Sequence, residues 1–136
     1  MCSTAGLLNQ SLESDFLGFQ LETFLLGQLR AYLSHTFKLF PIFHYSISGS
    51  YDIDFIIQTR RPVMGKRGDL VCVEVKFGKK YRADWIRGLK DFSSLSKQEV
   101  KGSHVVYCGQ DRLHDDGVDV WPLTDFVKAL FDGLII

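Results

Sequence analysis

The sequence predicts an α/β fold, a mixed sheet flanked by helices. Leucines recur every four positions through residues 14–34, the spacing of one helix face. Residues 51–58 and 70–77 alternate apolar and polar side chains, the period of a strand. A helical stretch at 82–95 then separates the second of these strands from a short apolar run, which is the pattern of a β-α-β unit.

The elements follow in order. Ser14 and Asp15 offer cap chemistry to the first helix. Leu17, Leu21, Leu25, Leu29 and Leu33 form its stripe, widened by Phe24 and Tyr32. Residues 39–47 read as a strand, and Pro41 places it at an edge or near its own start. Ser48-Gly49-Ser50 is a turn. In the next strand Tyr51, Ile53, Phe55 and Ile57 share one face, and Asp52, Asp54, Ile56 and Gln58 the other. A basic loop from Thr59 to Asp69 leads to a strand with Val71, Val73, Val75 and Phe77 opposite Cys72, Glu74 and Lys76. Trp85, Leu89 and Phe92 form the inward stripe of the second helix. His104–Cys108 is a strand, 109–117 a polar loop, and Val118–Trp121 a last strand. Pro122, Thr124 and Asp125 open a final helix that Gly133 stops.

At 136 residues, 46% of them hydrophobic, the chain suits a single domain spanning residues 1–136 with one packed core. Net charge is zero, so total charge points to no polyanionic partner. Its distribution does: residues 58–90 carry ten Lys and Arg against three Asp and Glu. Such a segment can steer a phosphate backbone even in a neutral protein; the bland alternative is a solvated loop plus the polar face of a helix. Lys79, Lys80, Arg82 and Arg87 are the candidate nucleic-acid contacts. Cys2, Cys72 and Cys108 have neither metal nor redox spacing. An odd cysteine count without a signal peptide leads us to expect a cytoplasmic protein, and no apolar run is long enough for a membrane span.

The chemistry lies across the two alternating strands. Closed as a symmetric antiparallel hairpin, they pair residues whose numbers sum to about 128, which sets Asp54 opposite Glu74. Lys76 shares their face. A slip of two residues brings Asp52 opposite Glu74 instead. In either register two carboxylates face each other, and such a pair is destabilising unless a cation or a proton lies between them. Mg²⁺ prefers oxygen ligands and is usually held by one or two carboxylates plus substrate phosphate. Glu22 sits beside the apolar stripe of the first helix. A buried carboxylate there needs a partner; Arg30 or water is the bland alternative.

Among other candidates, His44 and His104 lie within apolar runs and read as hydrogen-bonded packing residues rather than metal ligands, and Trp85 reads as core, with stacking against a base the minority alternative. His114 stands among Asp111, Asp115 and Asp116, without the spacing of a calcium loop.

The set Glu22, then Asp54, then Glu74-Val75-Lys76 resembles the PD-(D/E)XK phosphodiesterase superfamily. More narrowly, the chain is similar to the nuclease-like domain at the C-terminus of many prokaryotic AAA+ ATPases. The residues that carry this are Leu21-Glu22-Thr23-Phe24, Asp52-Ile53-Asp54-Phe55, Glu74-Val75-Lys76, Gly88-Leu89-Lys90-Asp91-Phe92 and Gly117-Val118-Asp119-Val120-Trp121-Pro122-Leu123, with Ser3–Leu8 entering the domain. The resemblance implies a restriction-endonuclease-like αβββαβ core and Glu22, Asp54, Glu74 and Lys76 as catalytic residues. It also implies Mg²⁺, with Mn²⁺ able to substitute, on Asp54, Glu74 and Glu22. The implied activity is hydrolysis of a phosphodiester, with DNA as the partner. The alternative is a non-catalytic module that docks on an ATPase domain, a partner protein or nucleic acid. A homodimer is compatible with either. Two departures stand out. The chain has no Gly-rich phosphate loop, so it stands alone or is a piece of a larger protein, and Leu21 occupies a position where phenylalanine is expected.

Overall fold

A computed structural model describes residues 3–46 and 51–136, with side chains from residue 16 onward. The elements are α1 (Ser3–His35), β1 (Ile42–Ser46), β2 (Asp52–Arg60), β3 (Asp69–Lys76), a 3₁₀ turn (Ala83–Ile86), α2 (Arg87–Leu95), β4 (Glu99–Tyr107), β5 (Leu113–Asp115), β6 (Val118–Pro122) and α3 (Leu123–Phe131). The strands form one mixed sheet in the order β1-β2-β3-β4-β6-β5. β1–β2–β3 are antiparallel, β3–β4–β6 parallel, and β5 returns antiparallel on β6. The parallel step from β3 to β4 needs a crossover, and α2 provides it. The fold is therefore α/β, as the periodicities predict.

Both faces of the sheet are covered. On one, Leu21, Leu25 and Leu29 of α1 and Phe126 and Leu130 of α3 pack on Phe55, Ile57, Val71, Val73 and Val75. On the other, Ile86, Leu89 and Phe92 pack on Ile53, Ile56, Leu70 and Cys72. Each fully buried leucine or phenylalanine contributes about 1.5–3 kcal/mol. Two-sided burial explains why β3 is buried from Leu70 to Val75 rather than alternating with solvent. It also makes Glu74 exceptional, a carboxylate only 6% exposed.

Several expectations change. The first helix runs back to Ser3, so Ser14 and Asp15 lie in its interior rather than at its start. Phe24 is half exposed and does not widen the buried stripe, whereas Tyr32 does. The fourth strand begins at Glu99, five residues before the apolar run, because its outer half lies along β3. The 109–117 loop contains β5, joined to β6 by Asp116-Gly117. Both residues have positive φ, 49° and 82°, as a two-residue hairpin turn requires. Pro41 does precede an edge strand, and Gly133 follows α3 at φ 78°. The Ser48-Gly49-Ser50 turn lies outside the described residues. Among those residues no helix is long and apolar enough to cross a membrane.

The alternation expected in β2 also fails at one point. Tyr45 pairs with Ile53 and Phe43 with Ile56, so two residues of β2, Asp54 and Phe55, lie opposite the single His44 of β1. This bulge moves Ile53 to the α2 face, with Ile56, while Phe55 and Ile57 stay on the α1 face. Asp54 sits inside it.

Candidate active site

The register places the chemistry. Phe55↔Val73, Ile56↔Cys72, Ile57↔Val71 and Gln58↔Leu70 all sum to 128. The ladder ends at Phe55↔Val73, and beyond it Asp54 turns aside at the bulge. Its Oδ2 accepts a hydrogen bond from the Val75 backbone N–H at 2.8 Å. Bulges re-aim side chains, and here one sets a carboxylate at the seam between the two layers of the domain. Glu22 approaches from α1 on one side, and Glu74 from the α2 face of β3 on the other. Asp54 stands near enough to both to push their carboxyls up.

These groups line one cavity of about 680 Å³ at the C-terminal end of β3. Its walls include Glu22, Asp52, Asp54, Glu74 and Lys76, and on the α2 side Asp84, Trp85, Arg87, Gly88 and Asp91. In open sheets with parallel strands, ligands bind beyond the carboxyl ends of the strands.

Electrostatics follow from burial and crowding. Burial pushes the Glu74 carboxyl up to about 10; the Asp54 carboxylate adds to the rise, and Lys76 opposes it. Glu22 is raised to about 7, first by burial, then by Asp54, while His44 pulls the other way. No basic group pairs with Glu22 or Glu74 among the described ion pairs, and Arg30 is not Glu22's partner. Carboxylates in mutual contact can hydrogen-bond only through a shared proton, and a bound cation would relieve the same repulsion. The donor set is all oxygen, which suits a hard cation such as Mg²⁺ or Mn²⁺. Among the described residues no three His, Cys, Asp or Glu side chains converge as a ready metal cage. Asp54 with Glu74 is therefore the fitting pair, since Mg²⁺ keeps several waters and needs only one or two carboxylates.

All four core residues expected from the sequence, Glu22, Asp54, Glu74 and Lys76, are brought together. Of the basic candidates only Arg87 reaches the cavity. Lys79, Lys80 and Arg82 are exposed on the loop after β3, and Arg82 pairs with Asp84 at 3.2 Å. Trp85 is partly buried, packing against the α2-side core while it also lines the cavity; Ile86 is the fully buried residue beside it. Asp52 lines the site beside Asp54, not in its stead. His44 is exposed on β1, with Nδ1 3.4 Å from the Asp54 carbonyl oxygen and its charge felt by Glu22. Reading it as packing misses this, because its place depends on how the edge strand pairs. Tyr51, Asp84 and Asp91 carry no motif and are visible only in three dimensions. His104 is a buried packing residue whose Nδ1 accepts the Trp121 Nε1–H bond at 3.0 Å.

The fold and site define an α/β domain with a carboxylate-rich cavity where a bulged strand meets the sheet's central strand. The family described as "Domain of unknown function (DUF4143)" matches residues 17–126, and the chain belongs to it. No curated protein and no solved structure matches the chain.

Proposed function

We propose that this domain is a divalent-metal-dependent phosphodiesterase that cleaves DNA. The observation behind the proposal is the meeting of Glu22, Asp54, Glu74 and Lys76, from α1, β2 and β3, in one cavity. Asp54 and Glu74 would hold Mg²⁺ or Mn²⁺, which when bound polarises a phosphoryl oxygen and acidifies a water. The protein's own groups supply the rest. Lys76 places a cation beside the two acids, where negative charge develops on the phosphate. Glu22, with its carboxyl raised to about 7 by burial and Asp54, exchanges a proton in the range where a general base works best. Arg87 offers a fork of donors to a backbone phosphate.

The test is nicking or cleavage of plasmid and branched DNA with Mg²⁺ or Mn²⁺. The wild type should cleave only with the cation, and Glu74→Ala and Lys76→Ala should each lose about 100-fold or more. Equal inertness of all three proteins would remove the proposal.

A docking-module reading draws on a different feature. Phe37, at φ 56°, is 90% exposed and Leu39 is 92% exposed, beside an apolar groove of about 650 Å³. Titration with Mn²⁺ separates the two readings: a phosphodiesterase binds it through Asp54 and Glu74, and a docking module has no need to.

A further inference from the structure

The cavity extends past the carboxylates to two aromatic side chains, Tyr51 and Trp85, neither of which the chemistry above employs. Each ring is seated by a glycine. A Cβ at Gly78 would lie 2.8 Å from the Trp85 ring, and one at Gly88 would lie 2.9 Å from Tyr51 Cβ. Gly78 is two residues beyond Lys76, so the indole stands next to the site. Trp85 is held from behind by edge contacts with Tyr81 and Tyr107, at centroid distances of 5.9 and 6.0 Å. The Tyr51 hydroxyl is buried and has no hydrogen-bond partner among the described residues. An unpaired buried hydroxyl is costly, and a ligand seated against Tyr51 would supply the missing bond.

On the phosphodiesterase reading, we infer that this part of the cavity receives one unstacked nucleobase next to the scissile phosphate, so that the preferred substrate is single-stranded or frayed DNA. Three features carry the inference. The whole cavity, about 680 Å³, is within the ~300–1,000 Å³ of pockets that enclose a small ligand, so a base fits beside a phosphate at the carboxylates. Asp84 and Asp91 line the same cavity, where carboxylates disfavour a second phosphate and suit the amino groups of a base. Trp85 presents a large ring to a base, and such stacking tolerates every base. A base enters such a cavity only outside the helical stack, a change that is cheap in a single strand and expensive in a duplex.

The experiment uses the full chain with Ca²⁺ as a non-cleaving probe ion. The chain has two tryptophans, and Trp121→Phe leaves Trp85 as the only emitter. This protein is titrated with a single-stranded oligodeoxynucleotide of ~12 nucleotides, with a hairpin duplex of the same composition and with a free deoxynucleoside monophosphate. In a parallel titration of the unsubstituted chain, 2-aminopurine in the single strand reports stacking without any substitution. We expect saturable quenching of both fluorophores by the single strand, binding at least tenfold weaker for the duplex, and weaker still for the mononucleotide. Trp85→Leu should weaken single-strand binding by about 5- to 100-fold, and Tyr51→Phe by a smaller factor. Single strand and duplex binding alike, with Trp85 emission and 2-aminopurine unchanged, overturns this inference and leaves the phosphodiesterase reading standing. A mononucleotide that binds as tightly as the strand overturns it too. Loss of all DNA binding overturns both.

Discussion

Glu74→Gln should make the metal-free protein more stable, although it removes a residue assigned to the site. Glu74 is 6% exposed, and burial together with Asp54 raises its carboxyl from 4.5 to about 10. The native state therefore holds a proton there that the unfolded chain releases above pH 4.5. For a raised pKa the associated stability is complete below 4.5 and is lost as pH climbs towards 10. At pH 8 the loss approaches 3.5 units, a ceiling of about 5 kcal/mol at 1.36 kcal/mol per unit. Glutamine keeps the shape, carries no charge, and turns an N–H donor towards Asp54, but its amide is not fully satisfied by that one bond. A net gain of about 2 kcal/mol at pH 8 is expected, which is about 7 °C in Tm for a chain of this size. Urea and thermal unfolding in EDTA, at pH 5 and pH 8, measure it. The gain should shrink towards zero at pH 5. A variant that is less stable at pH 8, or whose gain is the same at both pH values, refutes the argument that Glu74 is a strained buried acid.

Mn²⁺ at 100 times its Kd should stabilise the wild type by about 2.7 kcal/mol in thermal unfolding, and Asp54→Asn should abolish this shift. His104 should weaken the fold in acid. Burial depresses it from 6.5 to about 4, so its contribution is intact above pH 6.5 and is lost as pH falls through 4, about 3 kcal/mol in all. Denaturant unfolding of His104→Gln across that window should show a flatter pH dependence. Gly88→Ala puts a methyl group 2.9 Å from Tyr51 Cβ and should lower stability by about 1–3 kcal/mol in urea. Gly117→Ala, at φ 82°, should cost about 1–2 kcal/mol and fray the β5–β6 hairpin, seen as faster amide exchange there.

The parts of this fold that were legible in the sequence are those set by local periodicity. The leucine stripe of α1, the valines of β3 and the glycine after α3 each announce their element. The hairpin register is the symmetric one of the two that the sequence left open, with pairs summing to 128. The bulge in β2 was not legible. Nothing local distinguishes Asp54 from the next residue of a regular strand; the kink arises from how β1 pairs beside it. The β5–β6 hairpin was missed for another reason. Asp116-Gly117 is a recognised turn signal, but the polar residues around it outweighed the three-residue strand it closes. The spacing of Trp85 from Leu89 and Phe92 suits the inward stripe, and it does pack there in part; the 3₁₀ turn ahead of α2 makes Ile86 the fully buried member and leaves Trp85 at the cavity as well. The site itself divides in the same way. Glu22, Glu74 and Lys76 lie on regular elements and could be lined up by counting, as could Asp54 up to its bulge, whereas Tyr51, Asp84, Asp91 and His44 reach it only through tertiary packing.

A crystal soaked in Mn²⁺ examines the pairing of Asp54 and Glu74 with the least intervening inference. Anomalous density should show one ion bonded to oxygens of both residues at about 2.0–2.2 Å, with Lys76 on the same side of the sheet. An ion bound elsewhere, or none at saturating Mn²⁺ with the two carboxyls still in place, would contradict it.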